Sequence, residues 1–264
     1  MIRVTGLEIV FGTGTPLEKK ALRGVDFTAP EHQFVSVIGS NGAGKSTLLS
    51  AIAGDVLPQA GTIEIGGTDV TRRPTAIRAG QVARVFQDPL AGSCGTLTIE
   101  ENMALAAARG SRRGLGLAIG RSRRDMFRDR LSELGLGLEN RLEDQMGLLS
   151  GGQRQALALV MATLSDADVL LLDEHTAALD PAMAEFVLDL TSRVVAGQKV
   201  TTLMVTHSMR QALDMGDRTV MLHEGRIILD VSGEERANLD VEDLIQMFRS
   251  VRGQEIDDDS LLIE

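Results

Sequence analysis

The sequence contains no tryptophan and no tyrosine, and its only aromatic rings besides four histidines are seven phenylalanines. A nucleobase held by stacking, worth about 1–3 kcal/mol per base, therefore has few partners to choose from. Cys94 is the single cysteine among 264 residues, so no internal disulfide can form. No apolar run is long enough to span a bilayer, and Met1-Ile2-Arg3 does not open a signal peptide. Positive charge is also short: 27 lysines and arginines face 37 acidic residues, a formal net charge of −10. Such a field repels nucleic acid, and no nucleic-acid partner is expected. Repeats of solenoid period are missing too. A soluble cytoplasmic protein is expected, reaching a membrane only through a partner or a surface patch.

What is present is Gly39-Ser40-Asn41-Gly42-Ala43-Gly44-Lys45-Ser46-Thr47, which fits the phosphate-binding pattern G-x-x-x-x-G-K-[ST]. Phe34 to Ile38 before it is short, apolar and β-branched, as a buried strand should be. Leu48, Leu49, Ile52 and Ala53 after it recur with a helical stagger. A strand feeding a glycine loop that opens a helix gives the match its specificity. Gly39, Gly42 and Gly44 let the backbone curl so that successive N–H groups and the helix N-terminus converge on an anion. Lys45 can reach the outer phosphates, Ser46 offers a hydroxyl to magnesium, and Thr47 offers one to an inner phosphate.

The rest of the chain supplies further groups. Ile2, Val4, Leu7 and Ile9 alternate loosely, as does Leu22 to Thr28, giving two antiparallel strands with Phe11 at the end of the first. Phe11 is a candidate to stack on an adenine. Gly66-Gly67 marks a hairpin, and Val82 to Phe86 a strand that ends at Gln87. From Thr98 the patterning turns helical: Thr98-Ile99-Glu100-Glu101 is a capping box, and Ser122 to Asp125 starts a second helix. Eight arginines from Arg109 to Arg130, diluted by glycines, lie around these helices, and a basic excursion in an acidic chain is suited to anionic lipid head groups. Leu149-Ser150-Gly151-Gly152-Gln153 reads as another capped helix start with paired glycines, a second anion site. The strand Val169 to Leu172 delivers Asp173, suited to magnesium, and Glu174, suited to polarise water. Asp180-Pro181 caps a helix, and Thr201 to Val205 leads to His207, a candidate γ-phosphate sensor. The acidic tail from Asp257 is expected to be mobile.

Taken together, residues 1–250 resemble the nucleotide-binding subunit of ATP-binding cassette (ABC) transporters. Gly39 to Thr47 is similar to the family's Walker A loop, Gln87 to its Q-loop, Leu149 to Gln153 to its LSGGQ signature, Val169 to Glu174 to its Walker B strand, Ala178 to Asp180 to its D-loop and His207 to its switch histidine. His175 stands where the family commonly has proline. The resemblance implies an α/β fold, a P-loop NTPase (RecA-like) core formed by 1–87 and 165–250 with an N-terminal antiparallel β subdomain, an inserted α-helical subdomain at 88–164, and a tail at 251–264. It also implies ATP and magnesium as cofactors. Glu174, His207 and Gln87 would be catalytic; Ser46, Gln87 and Asp173 would serve the metal. Phe11, residues Gly39 to Thr47, Ser150 to Gln153 and Asp180 would hold nucleotide, those from Ser150 onward acting across a pair of cassettes. Asp173 to Asp180 and Gly225 to Val231 are similar to the ATPase of a bacterial uptake system of the tryptophan/tyrosine type. This implies a membrane permease, an extracytoplasmic substrate-binding protein, a second cassette, and a peripheral place at the cytoplasmic face of the membrane. Alternatives are an ABC ATPase of an export system or of DNA repair or translation, for which a second cassette in the chain or a long coiled coil would be needed.

Overall fold

The computed structural model describes residues 1–111 and 118–252. Strands β1 (Ile2–Phe11) and β2 (Lys19–Ala29) pair antiparallel, and β1 also pairs with β4 (Ala60–Ile65), which turns through Gly66-Gly67 into β5 (Thr68–Asp69). The uneven spacing of Ile2, Val4, Leu7 and Ile9 is reconciled by a bulge at Gly6, φ 55°, where the register shifts and all four side chains stay buried.

The second sheet runs β10 (Arg226–Ser232), β9 (Arg218–His223), β3 (Phe34–Ile38), β8 (Thr201–Val205), β7 (Val169–Asp173) and β6 (Val82–Val85). From β9 to β6 it is parallel, and β10 lies antiparallel at its edge. Strands β3, β7 and β8 are buried at every position, which is why apolar residues dominate them, with Ser36, Thr201 and Thr202 buried among these. Alternation assigns their side chains to two cores. Val169, Leu171, Leu203 and Val205 pack with the antiparallel sheet and with Leu48, Leu49 and Ile52 of α1 (Lys45–Ala53). Leu170, Leu172 and Met204 face the helices on the other side.

Those helices fill the stretch between β6 and β7. They are α3 (Ile99–Ala107), α4 (Arg121–Ser132) and α5 (Gly151–Ala162), joined on the same face by α6 (Pro181–Gln198), which follows β7. The capping box at Thr98 is complete, each partner accepting the other's backbone N–H. Helix α4 departs from the sequence expectation. It begins at Arg121 behind Gly120, with no side-chain cap, and Asp125 pairs with Arg128 instead of completing a box with Ser122. The arginine run is also corrected in part. Arg109 Nη2 donates to the carbonyls of Met161 and Ala162, both at 2.8 Å, closing the end of α5, and Arg124 grips Glu100 through two 2.6 Å bonds. These two arginines hold the lobe together and are not offered to lipid. Arg112 and Arg113 lie outside the described residues, as does the acidic tail from Asp257. Among the described residues no helix is long and apolar enough to cross a membrane.

A third core seals the far end of the sheet, where Met209 and Ala212 of α7 (Met209–Asp214) and Leu244 and Phe248 of α9 (Val241–Arg252) cover Ile38 and Met221. Two short helices, α2 (Thr75–Arg78) and α8 (Gly233–Ala237), complete the described elements with two single 3₁₀ turns.

Candidate nucleotide and catalytic site

Strand β3 ends at Ile38, and the chain turns through Gly39 (φ 144°) to Gly44 (φ 105°), the residue that caps α1. A Cβ at Gly39 would lie 2.1 Å from the Leu222 carbonyl oxygen, and one at Gly44 would lie 2.6 Å from that of Ala21, so no other residue fits either place. No side chain caps the start of α1, which leaves its first N–H groups to the loop. Lys45 Nζ curls over the same loop, donating to the carbonyls of Gly39 at 2.7 Å and Ser40 at 3.3 Å. Residues Asn41 to Thr47 line a cavity of about 210 Å³, walled further by Phe11, Lys19, Ala21 and Glu174.

Asp173 closes β7, and its two oxygens have separate partners. Ser46 Oγ donates to Oδ1 at 3.1 Å, and Arg84 Nη2 donates to Oδ2 at 2.7 Å. A serine hydroxyl beside a carboxylate is the hard oxygen set that magnesium takes, so these residues fit the ion. Glu174 follows with φ 46°, a left-handed conformation costing a non-glycine residue about 1–3 kcal/mol. Its N–H is tied to the Val205 carbonyl at 3.0 Å, which joins the end of β7 to the end of β8. His207 lies just beyond β8, and its Nε2 comes within 2.6 Å of Glu174 Oε1. His175 turns the other way. It is buried, and its Nε2 lies 3.0 Å from Thr191 Oγ1, whose only proton is given to the Val187 carbonyl at 2.8 Å. The imidazole must therefore be the donor, and burial pushes its pKa down to about 4.

The second anion site is only partly as expected. Ser150 and Gln153 form a complete capping box at the start of α5. Gly151 is open, with nothing within 4 Å of a Cβ placed there. Gly152 is not, because a Cβ there would lie 2.5 Å from the Met183 methyl, so its missing side chain makes room for a neighbour within the chain. Asp180 caps α6, accepting from Met183 N at 3.2 Å. None of Ser150 to Gln153 or Asp180 lines the phosphate-loop cavity. Nor does Gln87, which lines a separate cavity of about 420 Å³ with Gly151, Arg154 and His175. Within one chain the site is therefore split.

Comparison with known proteins bears on that split. Residues 22–177 match the family described as ABC transporter. The chain belongs to that family. This cassette is 44% identical over 216 residues to the tyrosine transport ATP-binding protein of Clostridioides difficile, covering 82% of this chain and 86% of the relative. It is 36% identical over 210 residues to the thiamine import ATP-binding protein of Shigella flexneri, covering 79% and 84%. Its fold matches an ATP-binding cassette solved as a dimer in a post-hydrolysis state bound to ADP and Pi, with a TM-score of 0.76 and 27% identity over 88% of this chain and 98% of that one. ABC cassettes hydrolyse ATP, and this chain is an ATP-binding subunit of that kind. Two of its site residues escape a reading by motif. Lys19 reaches the phosphate-loop cavity because antiparallel pairing sets it opposite Phe11. Arg84 reaches Asp173 from the neighbouring strand, and its one sequence signal is a charge inside the apolar run Val82 to Phe86.

Proposed function

We propose that this cassette powers uptake of a cargo of the amino-acid class through a separate membrane permease. In this reading it works at the cytoplasmic face of the membrane, beside an extracytoplasmic substrate-binding protein, as a pair of cassettes formed by two copies of itself. The observation that carries the reading is the meeting of Glu174, paired with His207, and the phosphate loop around one cavity. The tyrosine transport relative supports the cargo class, and the dimeric cassette supports the pair.

The nucleotide is the substrate. Phe11, half-exposed at the cavity rim, offers its ring face to the base, and the N–H groups of Gly39 to Thr47 with the Lys45 ammonium receive the phosphates. Magnesium, when bound by Ser46 and Asp173, supplies neutralisation of phosphate charge. Glu174 takes the proton of the attacking water, and His207 holds that carboxylate in place through its 2.6 Å contact. Ser150 to Gln153 and Asp180 complete the site from the opposite subunit, with Gly151 as the point of close approach. ATP bridging both subunits favours the closed pair, and loss of the shared phosphate releases it.

The test is reconstitution with the permease and binding protein in liposomes loaded with ATP and magnesium. Labelled tyrosine or tryptophan is expected to accumulate with the parent chain. Glu174→Gln should stop accumulation, with hydrolysis about 10²–10⁴-fold slower. ATP-driven accumulation of another cargo, with none of an amino acid, would overturn the cargo class and leave the ATPase reading intact.

A further inference from the structure

We propose that Arg84 is a positioning residue for hydrolysis, holding one oxygen of Asp173 so that the other is presented to Ser46 and the phosphate loop. The proposal rests on the reading of Asp173 as a residue that serves the metal. Arg84 lies on β6 opposite Leu171 of β7, two residues before Asp173, in a strand whose other members are buried and apolar. A charge in that setting is tolerated only when paired. The guanidinium is paired twice. Nη2 donates to Asp173 Oδ2 at 2.7 Å, and Nη1 donates to Asp55 Oδ2 at 2.7 Å and to Ser50 Oγ at 3.2 Å. Its Cζ also lies 4.6 Å from the centre of the Phe86 ring.

The Arg84 and Asp173 side chains are only 12% and 11% exposed, so water and salt weaken this pair little. Arg84 Nε is buried without a hydrogen-bond partner. The side chain thus leaves one donor unmet while its two outer nitrogens reach carboxylates on opposite sides. Ser46 and Ser50 stand one helical turn apart on α1, the first on Asp173 Oδ1 and the second on Arg84. Asp173 is consequently held at both oxygens, and its carboxylate cannot rotate without breaking the Arg84 bond. A residue that fixes a ligand in this way typically changes metal affinity or activity 10–100-fold when removed.

The experiment compares Arg84→Met, Arg84→Lys, Asp55→Asn and Asp173→Asn in full-length protein. Readouts are steady-state ATPase activity, thermal midpoint, and the electron paramagnetic resonance spectrum of Mn²⁺ bound with a non-hydrolysable ATP analogue. Arg84→Met should lower kcat about 10–100-fold, keep the KM for ATP within about twofold of the parent, and alter the Mn²⁺ spectrum. Arg84→Lys, which keeps the charge on a single donor nitrogen in place of the fork, should recover part of kcat. Asp55→Asn removes the outer carboxylate and leaves the Arg84–Asp173 pair, so it should lower the thermal midpoint while keeping kcat and the spectrum. The proposal is overturned if Arg84→Met keeps both kcat and spectrum, or if kcat falls in Asp55→Asn and Arg84→Met alike in step with the thermal midpoint. An unchanged spectrum and kcat in Asp173→Asn would remove the reading of Asp173 and the proposal together. An effect there with none in Arg84→Met would remove the proposal alone.

Discussion

His175 stands next to the proposed base yet faces away from it, buried and donating to Thr191. Its folded pKa of about 4 lies below the ordinary 6.5, so the unfolded chain takes up the proton first as pH falls. Its contribution to stability is whole above pH 6.5 and is lost as pH drops toward 4. At about 1.36 kcal/mol per unit, that loss reaches about 3 kcal/mol. His175→Asn should therefore flatten the dependence of the thermal midpoint on pH between 6.5 and 4.5; parallel curves for parent and variant would show that His175 carries no such linkage. Residue by residue, the sequence is most legible where chemistry follows a local motif. Asn41 to Thr47 and Glu174 do surround one cavity, and Ser46 does meet Asp173. It is least legible where a role arises across strands, as with Lys19 beside Phe11 and Arg84 beside Asp173. Gly152 shows a third case, since the pattern records that a glycine is needed there and not which neighbour needs it.

Among the elements, α5 is fastened at both ends by side chains, Ser150 at its start and Arg109 at its finish. Arg109 is half-buried, and this desolvation lowers its pKa; removing it strands the carbonyls of Met161 and Ala162. Arg109→Leu should cost about 1–3 kcal/mol of stability by urea unfolding, with the KM for ATP unchanged. A loss of ATP affinity with stability intact would place Arg109 in the site instead. Strands β3, β7 and β8 were readable because burial on both faces makes them mostly apolar, and the β4–β5 hairpin because Gly66-Gly67 announces it. The order of the sheet was not readable in the same way. That β8 lies between β3 and β7 is settled by crossovers, not by any local pattern. The short helices α2, α7 and α8, of four to six residues, give too few turns for a 3.6-residue period to register.

For the whole molecule the decisive property is that one chain does not gather all the groups its motifs name. Ser150 to Gln153 and Asp180 sit away from the phosphate-loop cavity, and the solved relative is a dimer. Glu174→Gln with ATP and magnesium should accumulate as a dimer in light scattering after size exclusion, where the parent stays mostly monomeric. Adding Ser150→Arg should dissolve that dimer through bulk and charge while each monomer still binds ATP. A dimer that survives Ser150→Arg would mean that the start of α5 is not at the interface. Global stability also carries a mark of this work. Asn or Gly fits the left-handed backbone at position 174 with less strain than glutamate does. A library of variants sorted on heat resistance alone should thus enrich chains that have lost this carboxylate, and sorting on ATP turnover should restore it. Thermostability is the wrong criterion by which to improve this cassette at that residue.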